Sequence, residues 1–126
     1  MLRAMALSCL IVDDNPQFLE VARELLDREG VAVVGVASTG AEAVERADQL
    51  RPEVTLVDID LGDESGFDVA LRLAAATDGR SRVILISTYA ETDFADLIAA
   101  SPAVGFLSKS DLSASAISML LESASG

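Results

Sequence analysis

Five short apolar runs punctuate the chain: "LSCLIV" (7–12), "VAVVGVA" (31–37), "VTLVDI" (54–59), "RVILIS" (82–87) and "AVGFLS" (103–108). They are mostly β-branched or aliphatic and show little alternation, the pattern of strands buried on both faces of a parallel sheet. Between them apolar residues recur at helical spacing. In 16–29, Phe18, Val21, Ala22, Leu25 and Leu26 share one face; Asn15 is placed to cap the helix, Pro16 suits its first position and Gly30 its end. Thr39 opens 40–50, with Ala43, Val44, Ala47 and Leu50 facing inward and Pro52 beyond the end. The period returns in 66–76 (Phe67, Val69, Ala70, Leu71, Leu73, Ala74), in 91–100 (Phe94, Ala95, Leu97, Ile98) and in 112–123 (Leu112, Ala116, Ile117, Leu120, Leu121). Five β-α units in a row predict an α/β fold: a parallel sheet with right-handed crossovers and helices on both faces. Connections are short, no linker or internal repeat interrupts them, and the closing "SASG" is expected to fray.

The 126 residues suit a single domain spanning 1–126, with a core over about 7–122. A hydrophobic share of 51% argues against an intrinsically disordered chain. No apolar run approaches the roughly 20 residues of a membrane helix. The opening "MLRAMALSCLIV" carries straight into "VDD" with no small-residue cleavage site, so it reads as a disordered lead followed by a buried strand, and the expected location is the cytoplasm. Cys9, the only cysteine, sits among apolar neighbours as a buried, inert thiol, and no internal disulfide can form. The absence of histidine excludes histidine catalysis and a phosphohistidine on this chain. A net charge of −12 favours solubility and opposes direct contact with nucleic acid or an anionic membrane.

In parallel α/β sheets ligands bind beyond the carboxyl ends of the strands. The first strand exits into Asp13 and Asp14, the third into Asp58 and Asp60, the fourth into Ser87 and Thr88, and the fifth into Lys109; the second supplies nothing charged. Each has an ordinary alternative. Asp13 and Asp14 could serve the positive end of the next helix, worth about 0.3–1 kcal/mol. Asp58 could be a turn residue, Ser87 and Thr88 helix caps, and Lys109 a solvated lysine. Independent turns rarely assemble one complementary pocket, however. Two carboxylates about 4 Å apart repel by roughly 4 kcal/mol at an effective dielectric constant of about 20, so a cluster of them calls for a cation. All-oxygen donors favour Mg²⁺ over Zn²⁺, and magnesium takes phosphate oxygens as further ligands. A lysine and a hydroxyl nearby complete a phosphoryl-binding arrangement, and a carboxylate is a competent phosphoryl acceptor.

The ordered set "VDD", "DIDLGDESG", "ILIST" and "GFLSK" closely resembles the receiver domain of two-component response regulators, over about residues 7–122. Each motif is weak alone; in this order at strand exits the combination is specific. The resemblance implies a flavodoxin-like, doubly wound (βα)5 fold with strand order 2-1-3-4-5. It implies Asp58 as phosphoacceptor, Asp14 as direct metal ligand, Asp13 acting directly or through water, and the Asp60 backbone carbonyl as a further ligand to Mg²⁺ or Mn²⁺. It also implies Ser87 as switch hydroxyl, Phe106 as aromatic switch and Lys109 as partner of the phosphoryl oxygens. The implied partners are a sensor histidine kinase or phosphotransfer protein, a downstream protein target, and a second copy through the face of the fourth helix, fifth strand and fifth helix. Catalysis would be confined to the chain's own phosphorylation and dephosphorylation.

Departures from the family pattern are Leu61-Gly62 where Met-Pro is common, and Ser110 where a proline with a cis bond commonly follows the lysine. Serine at 87 replaces the commoner threonine, and Asp60 and Tyr89 occupy positions that tune dephosphorylation. Three other readings compete. "Asp58-Ile-Asp60" imitates the Asp-x-Asp of haloacid-dehalogenase-type phosphatases, but that motif belongs on a first strand. A flavodoxin-like cofactor binder would want flavin-stacking aromatics, and the chain has no Trp and one Tyr. A receiver belonging to a DNA-binding transcriptional regulator shares the "GFLSKSDL" segment, though 126 residues leave no room for the DNA-binding part.

Overall fold

The computed structural model describes residues 7–125. Strands β1 (Ser8–Val12), β2 (Ala32–Ala37), β3 (Val54–Asp58), β4 (Arg82–Ser87) and β5 (Gly105–Ser108) alternate with helices α1 (Pro16–Arg28), α2 (Gly40–Leu50), α3 (Gly66–Thr77), α4 (Ala95–Ala100) and α5 (Ala114–Ser125). The strands form one parallel sheet in the order β2-β1-β3-β4-β5, the predicted doubly wound arrangement. The order reverses between β1 and β3, so their carboxyl ends open the crevice in which such sheets place ligands.

The weak alternation of the strands now has its cause. Leu10, Val12, Val57, Val83 and Leu85 point to one face and pack with Ala43, Ala47, Val69 and Leu73 of α2 and α3. Cys9, Ile11, Leu56, Ile84 and Ile86 point to the other and pack with Leu19, Ala22 and Leu26 of α1 and Ile117 of α5. Both sides of the central strands are core, so successive residues must both be apolar. The Cys9 thiol is fully buried, and burial pushes its pKa to about 12, as an inert core group requires.

Local chemistry starts the helices where expected. The Asn15 side chain accepts from the N–H groups of Gln17 and Phe18, and Pro16 occupies the first turn. Thr39 accepts from the Glu42 N–H while Glu42 reaches back to the Ser38 N–H. Other expectations need correction. Val21 is 63% exposed and Leu50 41%, because α1 turns Leu19 inward instead and α2 ends at the sheet margin. Residues 91–100 make a 3-10 turn (Glu91–Phe94) and only six residues of α4, without a side-chain cap and held by the half-buried Phe94 and Ile98. Leu112 is buried but extended, following a 3-10 turn at Lys109–Asp111, and α5 begins two residues later. Of the closing residues expected to fray, α5 takes in those up to Ser125. The expected disordered lead at 1–6, and Gly126, lie outside the described residues. Among those described, no helix is long and apolar enough to cross a membrane.

After β3 the chain pairs Asp60–Leu61 with Glu64–Ser65 in a two-residue antiparallel ribbon. Gly66 then donates its N–H to the Ile59 carbonyl at 2.7 Å. A Cβ at Gly66 would run into the Asp58 carbonyl oxygen and come within 2.7 Å of the Ile59 Cα, which is backbone that cannot swing away. Gly66→Ala should therefore lower the unfolding free energy by about 2 kcal/mol or more in urea titration; a variant as stable as the parent would show that α3 does not need this close approach.

Candidate functional site

Two devices at the end of β1 aim its acids. The Asp13 N–H donates to the Ala37 carbonyl at 3.0 Å, extending the β1–β2 ladder by one step. The Asp13 side chain, fully buried, accepts the Asn15 N–H on Oδ1 at 2.9 Å, which turns the chain into α1. Oδ2 is left to face Lys109 Nζ at 2.6 Å. Asp14, next in the chain, is exposed. Asp58 ends β3 and is 6% exposed; its Oδ1 accepts the Asp60 N–H at 3.1 Å and its Oδ2 lies 3.1 Å from the same Lys109 Nζ. Carboxylate oxygens of Asp13, Asp14 and Asp58 all lie within 4.8 Å of one another.

Burial, the largest influence, pushes the Asp58 pKa up from 3.8 to about 6; the Asp60 N–H works against this, the nearby Asp13 charge adds to it, and Lys109 opposes it. For Lys109, burial favours loss of the proton, but its bonds to Asp13 and Asp58 outweigh that and hold the ammonium above its ordinary value. Lys109 pairs with two of the three clustered carboxylates, so negative charge remains in excess. The donors are hard oxygens and one of the three acids is open to solvent, which fits an oxygen-preferring divalent cation.

The remaining predicted residues stand at the same edge in other relations. Ser87 ends β4, 2% exposed, and its hydroxyl accepts the Tyr89 N–H at 3.0 Å, so it serves a turn here. It pairs in register with Ser108, the residue before Lys109. Phe106 is turned into the core beside Leu85. The Asp60 side chain is exposed and its backbone belongs to the ribbon. Gly62 has φ +71°, and a Cβ there would sit 3.1 Å from Asp14 Oδ2, so the departure at Leu61-Gly62 leaves Asp14 uncrowded. No cis peptide occurs among the described residues, so Lys109–Ser110 is trans.

Two residues escaped the sequence reading. Phe18, assigned simply to the buried face of α1, is half-buried with Lys109 Nζ 4.3 Å from its ring centroid. A signal existed: helical Cα–Cβ bonds tilt toward the N-terminus, so residue 18 of a helix capped at Asn15 leans back toward the strand exit. Glu64, to which the sequence reading gave no role, accepts the Gly40 N–H at 2.9 Å and pairs with Arg72 at 3.4 Å, tying the ribbon to the start of α2. No local pattern announces that contact, which spans 24 residues.

A family model described as "Response regulator receiver domain" matches residues 9–119. The protein-glutamate methylesterase/protein-glutamine glutaminase of Thermotoga maritima is 36% identical over 103 residues, covering 79% of this chain and 29% of that protein. The DNA-binding transcriptional activator EvgA of Escherichia coli is 25% identical over 105 residues, covering 83% of this chain and 51% of EvgA. The chain thus spans about half or less of the curated relatives it matches. Among solved structures, the signal receiver domain of NarL from Mycobacterium tuberculosis superposes with a TM-score of 0.81 at 29% identity, covering 98% of this chain and 99% of that one. A response regulator protein from Burkholderia pseudomallei, described with a phosphorylated aspartic acid, a calcium ion and citrate, gives 0.80 at 28% identity, covering 94% and 68%.

Because the Asp58 pKa is raised on folding, the folded chain takes up this proton before the unfolded chain does. Its ionised form costs stability above pH 6, and that cost disappears as pH falls from about 6 toward 3.8. In metal-free buffer Asp58→Asn should raise the unfolding free energy near neutral pH by up to about 3 kcal/mol, the gain fading toward pH 4. Urea titrations across that range check it, and a loss of stability at neutral pH would contradict the electrostatics described here.

Proposed function

Since this chain belongs to the response regulator receiver domain family of two-component systems, we propose that it accepts a phosphoryl group on Asp58 from a sensor histidine kinase or a phosphotransfer protein. The observation that carries this reading is the Asp13–Asp14–Asp58 cluster bridged by Lys109 at the sheet's switch point. A carboxylate oxygen of Asp58 attacks the phosphorus of the donor's phosphohistidine. The new O–P bond forms as the N–P bond breaks, and the departing imidazole nitrogen keeps the electron pair and takes a proton from solvent. Attack of water on the same phosphorus later releases phosphate and restores the carboxylate.

Asp14, Asp58, the Asp60 backbone carbonyl, and Asp13 directly or through water would hold Mg²⁺, or Mn²⁺. When bound, the ion supplies positive charge against the phosphoryl oxygens. Lys109 Nζ, already 3.1 Å from Asp58 Oδ2, supplies the protein's own positive charge at that atom. Ser87 would exchange the Tyr89 N–H for a phosphoryl oxygen, and Phe106 would repack with it. The face of α4, β5 and α5 would then change and be read by a downstream protein or by a second copy of the chain. Turnover of an external substrate is not part of this reading. The unit that does this spans about 7–122.

The phosphorylated aspartate and calcium ion described for the Burkholderia pseudomallei protein support both the acceptor and the cation. A second reading concerns output: EvgA is DNA-binding and the chain matches 51% of it, which supports a receiver that works within a longer transcriptional regulator. The phosphatase reading loses its support, because Asp58 ends the third strand and the receiver match covers 9–119.

With radiolabelled acetyl phosphate and Mg²⁺, the wild-type chain should become labelled, EDTA should abolish the label, and Asp58→Asn should remain unlabelled. Equal labelling of the variant would remove Asp58 as acceptor.

A further inference from the structure

Lys109 Nζ has three neighbours. Asp13 Oδ2 lies at 2.6 Å, Asp58 Oδ2 at 3.1 Å, and the ring centroid of Phe18 at 4.3 Å. The first two are ionic. The third is the face of an aromatic ring, whose quadrupole attracts a cation without carrying a net charge. We infer that Phe18 is a positioning residue for the phosphoryl reaction: its ring face holds the Lys109 ammonium over Asp58. The inference rests on the reading of Asp58 as the acceptor.

The ring is itself firmly placed. Pro16 opens α1, and the Phe18 N–H donates to Asn15 Oδ1 at 3.3 Å. Asn15 in turn donates its N–H to Asp13 Oδ1 at 2.9 Å. The contacts therefore close a circuit from Asp13 through Asn15 to Phe18, across to Lys109 and back to Asp13. A lysine ammonium ends a flexible four-carbon stem, so charge attraction alone leaves its direction loose. Phosphoryl transfer also changes what Lys109 faces, since Asp58 becomes an acyl phosphate. That step alters one of the three contacts, Asp58, and leaves the Asp13 carboxylate and the ring as they were. The ring can therefore help Asp13 hold Nζ in place while Asp58 changes. Simple packing is the competing account, because half-buried Phe18 also adjoins the core on this side of the sheet. The two accounts differ in one property: packing depends on the ring's shape, and cation binding depends on the charge of its face.

The test is the rate of single-turnover phosphorylation by acetyl phosphate with Mg²⁺, in which Asp58 attacks phosphorus and acetate leaves. Phe18→Leu should slow the reaction about 3- to 10-fold, the effect of losing one desolvated cation–ring contact. Phe18→Tyr should restore the rate to within about 2-fold, because its ring face is equivalent. Trifluorophenylalanine at position 18 keeps the shape and depletes the face, and should be slowed like Phe18→Leu. In a Lys109→Met background, Phe18→Leu should leave the residual rate unchanged. A fluorinated ring that reacts at the wild-type rate would overturn the inference in favour of packing, and this arm decides even where Phe18→Leu folds poorly. An equal further loss in the Lys109→Met background would overturn it too. Wild-type chain that takes no label would instead remove the acceptor reading, and this inference with it.

Discussion

The arrangement at the carboxyl edge of the sheet depends on one partly buried ammonium shared by two carboxylates. Asp13 is fully buried and Asp58 nearly so, and a carboxylate in such a place must be paired or neutralised. Lys109 Nζ does this for both at once, at 2.6 and 3.1 Å. Because β4 separates β5 from β3 in the sheet, that contact ties the exits of the neighbouring β1 and β3 to the exit of the edge strand β5. It also leaves the site short of positive charge, since the exposed Asp14 is close by. A place that is structurally satisfied yet electrostatically incomplete is suited to a cation and a phosphoryl group, each of which supplies what the other lacks.

The rest of the fold serves to aim these groups. Two apolar layers cover the sheet, and the helices that supply them begin beside the site. Their start signals double as site architecture. Asn15 caps α1 and anchors Asp13; Ser65 caps α3 after the ribbon that follows Asp58; Glu64 reaches the first N–H of α2. Gly66 lets α3 approach the backbone just beyond Asp58. A helix cap here is also a constraint on a side chain of the candidate site, so local stability and site geometry are not separable properties. The contrast is α4, six residues long, uncapped and without a buried residue. In the chain it falls between the strands that carry Ser87 and Phe106, on the side proposed to change, where a weakly held element is the natural one to move.

Much of this was legible in the chain. Doubly buried strands announce themselves as unalternating apolar runs, and strand exits can be read from where those runs stop. The acids, hydroxyl and lysine were therefore placed on one edge by topology alone, and the capping residues by local hydrogen-bond chemistry. What failed did so for definite reasons. Helical periodicity is a stripe about one residue wide in its uncertainty, so Val21 was turned inward where Leu19 belongs. Leu112 is apolar and buried without being helical, a distinction that periodicity cannot make. Nothing within the acid-rich "GDESG" names a partner for Glu64, and only the meeting of α2 with the ribbon gives it its bond to Gly40.

By itself the sequence determined the class of the fold, the order of its elements and the identity of the groups gathered at the strand ends, because burial and capping are written in residues a few positions apart. Only the tertiary structure decided how those groups divide their roles. Asp13 and Asp14 are adjacent acids in the chain, yet one is fully buried against Lys109 and the other faces solvent. Ser87 reaches the edge but bonds Tyr89, and Phe18, at the margin of the core, also lies against Lys109, 91 positions away in the chain (109 minus 18). Distances and burial between residues so far apart arise from packing one element against another, and no local rule carries them.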